Sequence, residues 1–139
     1  MRIVALLQAR MGSTRLPNKV MKPIQGIPMI ELLLKRLSKS SLINEIVVAT
    51  SLEPANQVLV DHVQNIGFNV FQGSEDDVLD RFYKAATIYK AEIVIRITAD
   101  CPLIDPALVD ELITAFLERG DVDYMANALS PTYPDGLDT

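Results

Sequence analysis

The sequence predicts a single Rossmann-like α/β domain of three α/β/α layers, in which helices cover both faces of a mostly parallel sheet. Short apolar runs of strand length alternate with longer segments whose apolar residues recur at helical spacing, which is typical of successive βαβ units. The chain has 139 residues, and 49% of them are hydrophobic, which is enough for one buried core. No internal repeat or linker divides it.

The first part of the chain predicts two buried strands separated by a helix. Ile3–Leu7 forms the first strand and Ile46–Thr50 the second. Pro28 opens the helix, which is expected to end near Ser40. Its inward-facing residues are Ile30, Leu33, Leu34 and Leu37.

A second helix and a short strand follow. Pro54 begins this helix, which continues to about Ile66, and Phe68–Phe71 is the strand. His62 lies on the polar side of the helix, and no neighbouring carboxylate or cysteine pattern accompanies it, so a solvated structural histidine is expected. The residues predicted to face inward are Val58, Leu59, Val63 and Ile66.

Ser74 and Asp77 have the spacing of a capping box at the start of a third helix. The same Ser74 is compatible with a role in binding, because a capped helix terminus still presents N–H groups to a ligand. The residues of this helix predicted to face the core are Val78, Leu79, Phe82, Ala86 and Tyr89.

A fourth strand, a last helix and a further strand complete the prediction. Glu92–Thr98 is the strand, and Asp105 with Pro106 opens a helix that continues to about Arg119. A further strand is expected over Tyr124–Leu129. The residues on the buried face of the helix are Leu108, Val109, Leu112, Ile113 and Phe116.

Residues 8–19, which follow the first strand as QARMGSTRLPNK, have the composition of a triphosphate cradle. Gly12 lets backbone N–H groups approach an anion closely, and the side chains add hydroxyl donors and positive charge. These side chains are Arg10, Ser13, Thr14, Arg15 and Lys19. No G-x-x-x-x-G-K-[ST] or G-x-G-x-x-G motif occurs here, which disfavours kinase-type and dinucleotide-type cradles. Composition alone leaves open an ordinary strand-to-helix connection.

The charge distribution favours the cradle. Residues 1–39 contain eight Lys and Arg and one acidic residue, whereas the remaining hundred contain five basic and seventeen acidic residues. The formal net charge of −5 therefore conceals a basic first segment. A net-acidic chain is a poor binder of nucleic acid polymers, so the basic segment suits a small polyanion better.

Asp100 is the metal candidate, because it follows the fourth strand at the end where open α/β sheets bind their ligands. Mg²⁺ binds through one or two carboxylates together with substrate phosphate oxygens. An Asp that only hydrogen-bonds its own turn before Pro102 is the alternative. Cys101 invites a nucleophile hypothesis, but no motif in the sequence supplies an activating base.

Four separated blocks, which run in order over nearly the whole chain, carry a family resemblance. They read QARMGSTRLPNKVMKPIQGIPMIELLLKRL, GSEDDVLDRFYKAA, VIRITADCPLIDPALVDELI and YPDGL. The sequence resembles the cytidylyltransferase-like proteins of spore coat polysaccharide biosynthesis, relatives of the CMP-Kdo and CMP-acylneuraminate synthetases. The resemblance implies a nucleotide-diphospho-sugar transferase fold. It also implies a nucleotidyltransferase that activates a sugar or sugar acid with CTP and Mg²⁺, releasing pyrophosphate.

The resemblance also implies roles for individual residues. Asp100 would hold Mg²⁺ against the α-phosphate, and the catalytic cations, which stabilise the departing phosphates, would be Arg10, Arg15 and Lys19. The nucleotide-binding residues would be Gln8, Ala9, Arg10, Gly12, Ser13, Thr14, Arg15, Lys19 and Ser74. Asn18 and Ala99 stand where related synthetases often have Gly. Asn tolerates left-handed backbone, so the turn at Asn18 is expected to be kept.

The expected partners are CTP or another nucleoside triphosphate and a sugar or sugar acid, with no nucleic acid and no membrane. One cysteine and no apolar run of about 18 or more residues favour a cytoplasmic protein. The resembled family continues for roughly another hundred residues, which would carry a dimerising segment and a second metal carboxylate. Residues 1–139 are accordingly interpreted as the N-terminal, nucleotide-binding portion of one nucleotidyltransferase domain, homodimeric at full length.

Two other functions remain open at this stage. A glycosyltransferase of the same fold class would consume a nucleotide sugar, but its usual D-x-D motif should follow the fourth strand, whereas Asp121–Asp123 follows a helix. A non-catalytic nucleotide-binding domain is the other alternative. The sequence alone names neither the sugar nor, beyond the resemblance, the base.

Overall fold

The computed structural model describes residues 1–127. Within this range a parallel sheet is assembled from four strands, with a two-stranded hairpin beside it. The strands are β1 (Ile3–Gln8), β2 (Pro23–Ile24), β3 (Ile27–Pro28), β4 (Glu45–Ser51), β5 (Asn69–Gly73) and β6 (Ile93–Thr98). The helices are α1 (Met29–Leu37), α2 (Gln57–Asn65), α3 (Val78–Ile88) and α4 (Pro106–Arg119).

The parallel sheet has the strand order β5-β4-β1-β6, so β1 lies between two partners. The continuous apolar sequence of β1 fits this place, because a central strand of a parallel sheet is covered on both faces. In the register, Gln8 at the end of β1 pairs with Ala49 on one side and Thr98 on the other. The loops after these three strands therefore emerge together.

Two apolar clusters on opposite faces of the sheet give the molecule its three layers. The larger cluster joins one face of the sheet to α1, α2 and α4, through residues such as Leu33, Leu59 and Val109. The smaller cluster joins Val4 and Leu6 on the other face to α3. The predicted three-layer α/β fold is confirmed, and burial of each large aliphatic side chain contributes about 1.5–3 kcal/mol.

The helix boundaries differ from the prediction at several ends. α1 begins at Met29 and ends at Leu37, three residues before Ser40. The second helical segment begins as a 3-10 turn over Pro54–Asn56 before α2 starts. The β2–β3 hairpin was not predicted, because its strands have only two residues each.

Two residues predicted to face inward are exposed. Val58 is 52% exposed and Leu79 is 81% exposed. In each helix a neighbouring position takes the inward place: Val60 in α2 and Arg81 in α3 are buried. In α3, the buried arginine displaces the inward face from the most apolar positions, which hydrophobic periodicity alone does not predict.

The strand predicted over Tyr124–Leu129 is absent where it can be assessed. Residues 124–127 have no strand structure, and the rest of that prediction lies outside the described residues. Tyr124 is 78% exposed and lines a groove of about 470 Å³ along β6, together with Val94 and Phe116. No helix in the described part of the chain is long and apolar enough to cross a membrane.

His62 has a carboxylate partner that its sequence neighbours do not reveal. Its Nε2 lies 3.0 Å from Glu31 Oε2, which connects α2 to α1. Lys35 contacts the other oxygen of Glu31 at 2.5 Å. The hydrogen bond from Lys35 is the largest influence on the pKa of Glu31, and with His62 it holds that pKa below its usual value.

Candidate active site

The predicted site residues of β1 and β6 meet at the carboxyl end of the sheet. Gln8 and Thr98 are paired in register, and the N–H of Ala99 donates to the carbonyl of Gln8 at 3.1 Å. The loop after β1 and Asp100 after β6 therefore lie side by side, where open α/β sheets place their ligands. Ala99 is buried in this arrangement.

The loop after β1 is closed on the peptide of Met11. The carbonyl of Met11 accepts the N–H groups of Ser13 at 3.0 Å and Asn18 at 3.1 Å. Asn18 has φ 58° and ψ 31°, so the left-handed turn expected at this position is present. The two hydrogen bonds make residues 12–17 a protruding loop with a fixed base.

The cationic and hydroxyl groups of this loop face outward. Thr14 and Arg15 are exposed, whereas Lys19 is half-buried at the start of a 3-10 turn. The Ser13 hydroxyl donates to the carbonyl of Leu16, so it helps to hold the loop. The space beside Gly12 where a side chain would project is open, so the loop leaves room for an anion.

Asp100 is hydrogen-bonded and ionised. Thr98 Oγ1 donates to its Oδ1 at 2.7 Å, and this bond is the main reason that the pKa of Asp100 lies below its usual value. Partial burial opposes the shift, while the positive charge of Lys19 adds to it. The cationic loop and the metal candidate are thus close enough to interact.

Cys101 is buried beside the same carboxylate. Its Sγ lies 3.7 Å from Thr98 Oγ1 and 3.8 Å from Asp100 Oδ1. Neither neighbour is a base of the kind that activates a thiol for nucleophilic attack. The position of Cys101 therefore fits a packing role next to Asp100.

The opposite wall of the site is a group of charges on the β5–α3 loop and α3. Arg10 Nη1 lies 3.6 Å from Glu75 Oε1. Arg81 is 2% exposed, and its Nη1 donates to the carbonyl of Ser74 at 2.9 Å. Burial lowers the pKa of Arg81, and the negative charge of Glu75 opposes that effect. Two buried atoms of this wall, Glu75 Oε2 and Arg81 Nε, have no hydrogen-bond partner among residues 1–127.

The capping prediction for α3 is corrected by the hydrogen bonds. Asp77, not Ser74, is the N-cap, because its carboxylate accepts the N–H of Asp80 at 2.9 Å. Ser74 Oγ accepts the N–H of Asp77 at 3.0 Å, one turn earlier. Ser74 is half-buried and precedes Glu75, the residue that contacts Arg10.

Sequence reasoning missed Glu75 and Arg81 of the wall, and it missed Asn56 beneath the loop. Asn56 is 2% exposed, and its Oδ1 accepts the N–H of Met11 at 2.8 Å. An arginine at an inward helical position was a usable signal for Arg81. Nothing in the sequence connects Asn56 with a residue 45 positions earlier.

Within residues 1–127, Asp100 is the metal candidate that the sequence predicted. No group of three or more His, Cys, Asp or Glu within residues 1–127 is placed to hold a metal ion. The Asp121 carboxylate of the alternative D-x-D motif contacts Arg119 at 3.2 Å, just after α4. One ionised carboxylate still fits Mg²⁺, which takes most of its ligands from water and substrate phosphates.

A three-layer α/β fold with a cationic loop and a carboxylate at the carboxyl end of its sheet fits a nucleotidyltransferase of Rossmann-like fold. The chain belongs to the cytidylyltransferase family, whose model matches residues 4–133. A cytidylyltransferase from Leptospira borgpetersenii superimposes with a TM-score of 0.94 at 35% identity, over 99% of this chain and 58% of that one.

Two further relatives agree with this assignment. The spore coat polysaccharide biosynthesis protein SpsF of Bacillus subtilis is 40% identical over 131 residues, covering 91% of this chain and 55% of its own length. A CMP:2-keto-3-deoxy-manno-octonic acid synthetase complexed with CTP superimposes with a TM-score of 0.78 at 27% identity, over 88% of this chain and 50% of that one. The chain thus spans about half the length of the relatives it matches.

Proposed function

We propose that this chain is the nucleotide-binding part of an enzyme that activates a sugar or sugar acid with CTP, releasing pyrophosphate. The observation that carries the proposal is the strand register that pairs Gln8 with Thr98, together with the 3.1 Å hydrogen bond from the N–H of Ala99 to the carbonyl of Gln8, because it makes the cationic loop and Asp100 emerge side by side. Positive charge next to an ionised carboxylate suits a triphosphate that is bound together with a metal ion. Membership of the cytidylyltransferase family supports the same reaction class.

In this reaction an oxygen of the sugar attacks the α-phosphorus, and pyrophosphate leaves from the opposite side. The protein supplies position and charge neutralisation, with no covalent intermediate. Arg10, Arg15 and Lys19 would neutralise the β- and γ-phosphates as negative charge accumulates on them. The open backbone at Gly12 would let peptide N–H groups join them.

Asp100 would hold the Mg²⁺ ion. When bound, the ion would neutralise phosphate charge and polarise the α-phosphate. Asp100 is suited to this role because the Thr98 hydrogen bond keeps it ionised and fixes one oxygen. The second metal carboxylate implied by the family resemblance would lie outside this chain.

The choice of CTP and of a sugar acid as substrates draws on the relatives. The structurally similar synthetase for CMP:2-keto-3-deoxy-manno-octonic acid is complexed with CTP, and the SpsF relative belongs to spore coat polysaccharide biosynthesis. We propose by extension that this chain uses CTP and a sugar acid, and that it acts in surface or spore coat polysaccharide biosynthesis. Homodimerisation and a cytoplasmic location stay predictions.

Calorimetry with CTP, with and without Mg²⁺, tests the proposal. The wild-type chain should bind CTP, and Mg²⁺ should tighten the binding. Asp100→Asn should abolish the tightening and leave metal-free binding nearly intact, whereas Asp61→Asn on α2, a matched exposed carboxamide control, should behave as wild type. If the wild-type chain binds CTP under neither condition, the proposed function is wrong.

A further inference from the structure

We propose that Asn56 is a positioning residue that sets the conformation of the phosphate-binding loop for nucleotide. The proposal rests on the function proposed above and adds a residue outside the loop itself. Its Oδ1 accepts the N–H of Met11 at 2.8 Å, and its Nδ2 donates to Ser51 Oγ at 2.7 Å. Both hydrogen bonds are buried, so the amide group has a defined orientation.

The contact matters because Met11 is the residue on which the loop closes. Its carbonyl already accepts the N–H groups of Ser13 and Asn18, which fix both ends of the protruding segment. Within residues 1–127, the peptide N–H of Met11 donates to one side chain, that of Asn56. The Met11 side chain is itself buried in the larger apolar cluster. The hydrogen bonds that close the loop and the bond that anchors it to Asn56 therefore all involve the backbone of Met11.

The far end of the connection is equally fixed. Ser51 is the last residue of β4 and is completely buried. Its hydroxyl also accepts the N–H of Glu53 at 3.3 Å, and its carbonyl accepts Gln72 Nε2 at 3.3 Å from β5. A polar path therefore runs from the end of β4 through Asn56 to the base of the cationic loop.

Removing the amide leaves the N–H of Met11 buried without a partner. That loss favours loop conformations in which the peptide reaches water, and these conformations displace Gly12, Ser13 and Arg15 together. Because a small displacement of several phosphate ligands lowers affinity much more than it disturbs the core, the effect should appear mainly in nucleotide binding. A residue of purely structural importance would lower stability without this selectivity.

Asn44, which immediately precedes β4, offers a matched control at the opposite end of that strand from Ser51. Asn44 Oδ1 accepts the N–H of Ile3 at 2.7 Å, the same kind of side-chain bond to a β1-flanking peptide, but remote from the site. Asn44→Ala and Asn56→Ala should both lower thermal stability. Asn56→Ala alone should weaken the binding of CTP and of inorganic tripolyphosphate, by about tenfold or more.

Amide hydrogen exchange of Met11 provides a readout that is independent of any ligand. We expect Met11 to exchange at least tenfold faster in Asn56→Ala than in Asn44→Ala, and Asn56→Asp to restore protection because it keeps an acceptor oxygen while the Ser51 hydroxyl turns to donate. Unchanged Met11 exchange, or equal loss of tripolyphosphate affinity in the two alanine variants, would overturn the positioning role. If the wild-type chain binds neither probe, the proposed function fails, and the exchange data alone decide whether Asn56 holds the loop.

Discussion

Thr98 Oγ1 donates a hydrogen bond of 2.7 Å to Asp100 Oδ1, which joins the last residue of β6 to the carboxylate just beyond it. The bond stabilises the ionised carboxylate and holds one of its oxygens in place. The exposed Thr98 side chain thus orients the carboxylate of Asp100, which we propose as the metal ligand.

Replacing Thr98 by Val should raise the pKa of Asp100. The wild-type pKa is lowered, chiefly by this hydrogen bond, so its removal moves the value toward the usual range near 3.9. Because its pKa is lowered by folding, the ionised Asp100 stabilises the folded state at pH values above its unfolded pKa. This contribution is lost as the pH falls through the folded pKa. NMR titration of the Asp100 carboxyl carbon measures the change.

Thr87→Val is the control for that experiment, because Thr87 Oγ1 bonds the carbonyl of Tyr83 on α3 and not a carboxylate. The pKa of Asp100 in this control variant should equal that in wild type. An Asp100 titration that is identical in the Thr98 variant would mean that the backbone hydrogen bond of Asp100 and the charge of Lys19, not the hydroxyl, lower its pKa.

Arg15→Ala and Lys19→Ala should each weaken CTP binding by about 1.5–3 kcal/mol, the scale of a charge-assisted hydrogen bond. Arg15 is exposed and Lys19 half-buried, so neither change should lower the melting temperature much. Calorimetric titration measures the affinities, with Lys39→Ala at the end of α1 as a control for the loss of one surface charge. Equal affinities in all four proteins would exclude the triphosphate cradle.

Glu75→Gln should tighten CTP binding about two- to fivefold, a change below about 1 kcal/mol. Glu75 contacts Arg10 at 3.6 Å, and a neutral side chain would leave that cation free for phosphate. Thermal stability should fall, because buried Arg81 loses a nearby negative charge. The exposed neighbour Asp76→Asn is the control: if it tightens binding equally, the effect is one of net charge and not of the Arg10 contact.

The sequence was informative where the pattern is local. The apolar run of β1 predicted a buried strand one residue short of its end, and Asn18 was correctly expected to keep a left-handed turn. Side chains that meet across the fold could not be predicted. Glu31 and His62 are 31 positions apart, and Met11 and Asn56 are 45 apart. Each pair depends on how helices sit on the sheet, which periodicity does not specify.

The same limit explains the wall of the site. Hydrophobicity placed Leu79 in the core of α3, whereas the helix turns Arg81 inward and leaves Leu79 in solvent. The inward guanidinium is accommodated by the carbonyl of Ser74 and the charge of Glu75, both from the preceding loop. These partners reach Arg81 only because the loop packs against α3, and a single sequence does not predict that packing.

The contact between α1 and α2 at Glu31 should make stability depend on acid pH. Because the pKa of Glu31 is lowered, first by Lys35 and also by His62, its ionised form stabilises the fold above the unfolded value and stops doing so as the pH falls through the folded one. The unfolding free energy of wild type should exceed that of Glu31→Gln near neutral pH, and the difference should shrink as the pH falls through the folded pKa of Glu31.

Denaturant titrations at several pH values measure that difference. Glu118→Gln, which removes an exposed carboxylate on α4, controls for the loss of one negative charge. A difference between wild type and Glu31→Gln that does not shrink as the pH is lowered would show that shape, not charge, accounts for the contribution of Glu31.

Lys90 ends α3 in a conformation that usually belongs to glycine, and replacing it should stabilise the protein. The N–H of Lys90 bonds the carbonyl of Thr87 and the N–H of Ala91 bonds that of Ala86, the Schellman arrangement, with φ 55° at Lys90. A side chain in this region is strained by roughly 1–2 kcal/mol, and glycine relieves that strain. Part of the gain is lost, because glycine has more conformational freedom than lysine in the unfolded chain. Lys90→Gly should therefore raise the unfolding free energy by about 0.5–1 kcal/mol, measured by denaturant titration.

Two comparisons make the argument specific to the left-handed backbone. Lys90→Ala keeps the Cβ atom and should give no gain, because the strain comes from Cβ and not from the rest of the side chain. Asn18→Gly should also change stability little, since Asn already tolerates its φ of 58°. If Lys90→Ala stabilises as much as Lys90→Gly, the benefit comes from removing the charge or the long side chain, and the backbone at the end of α3 is not strained.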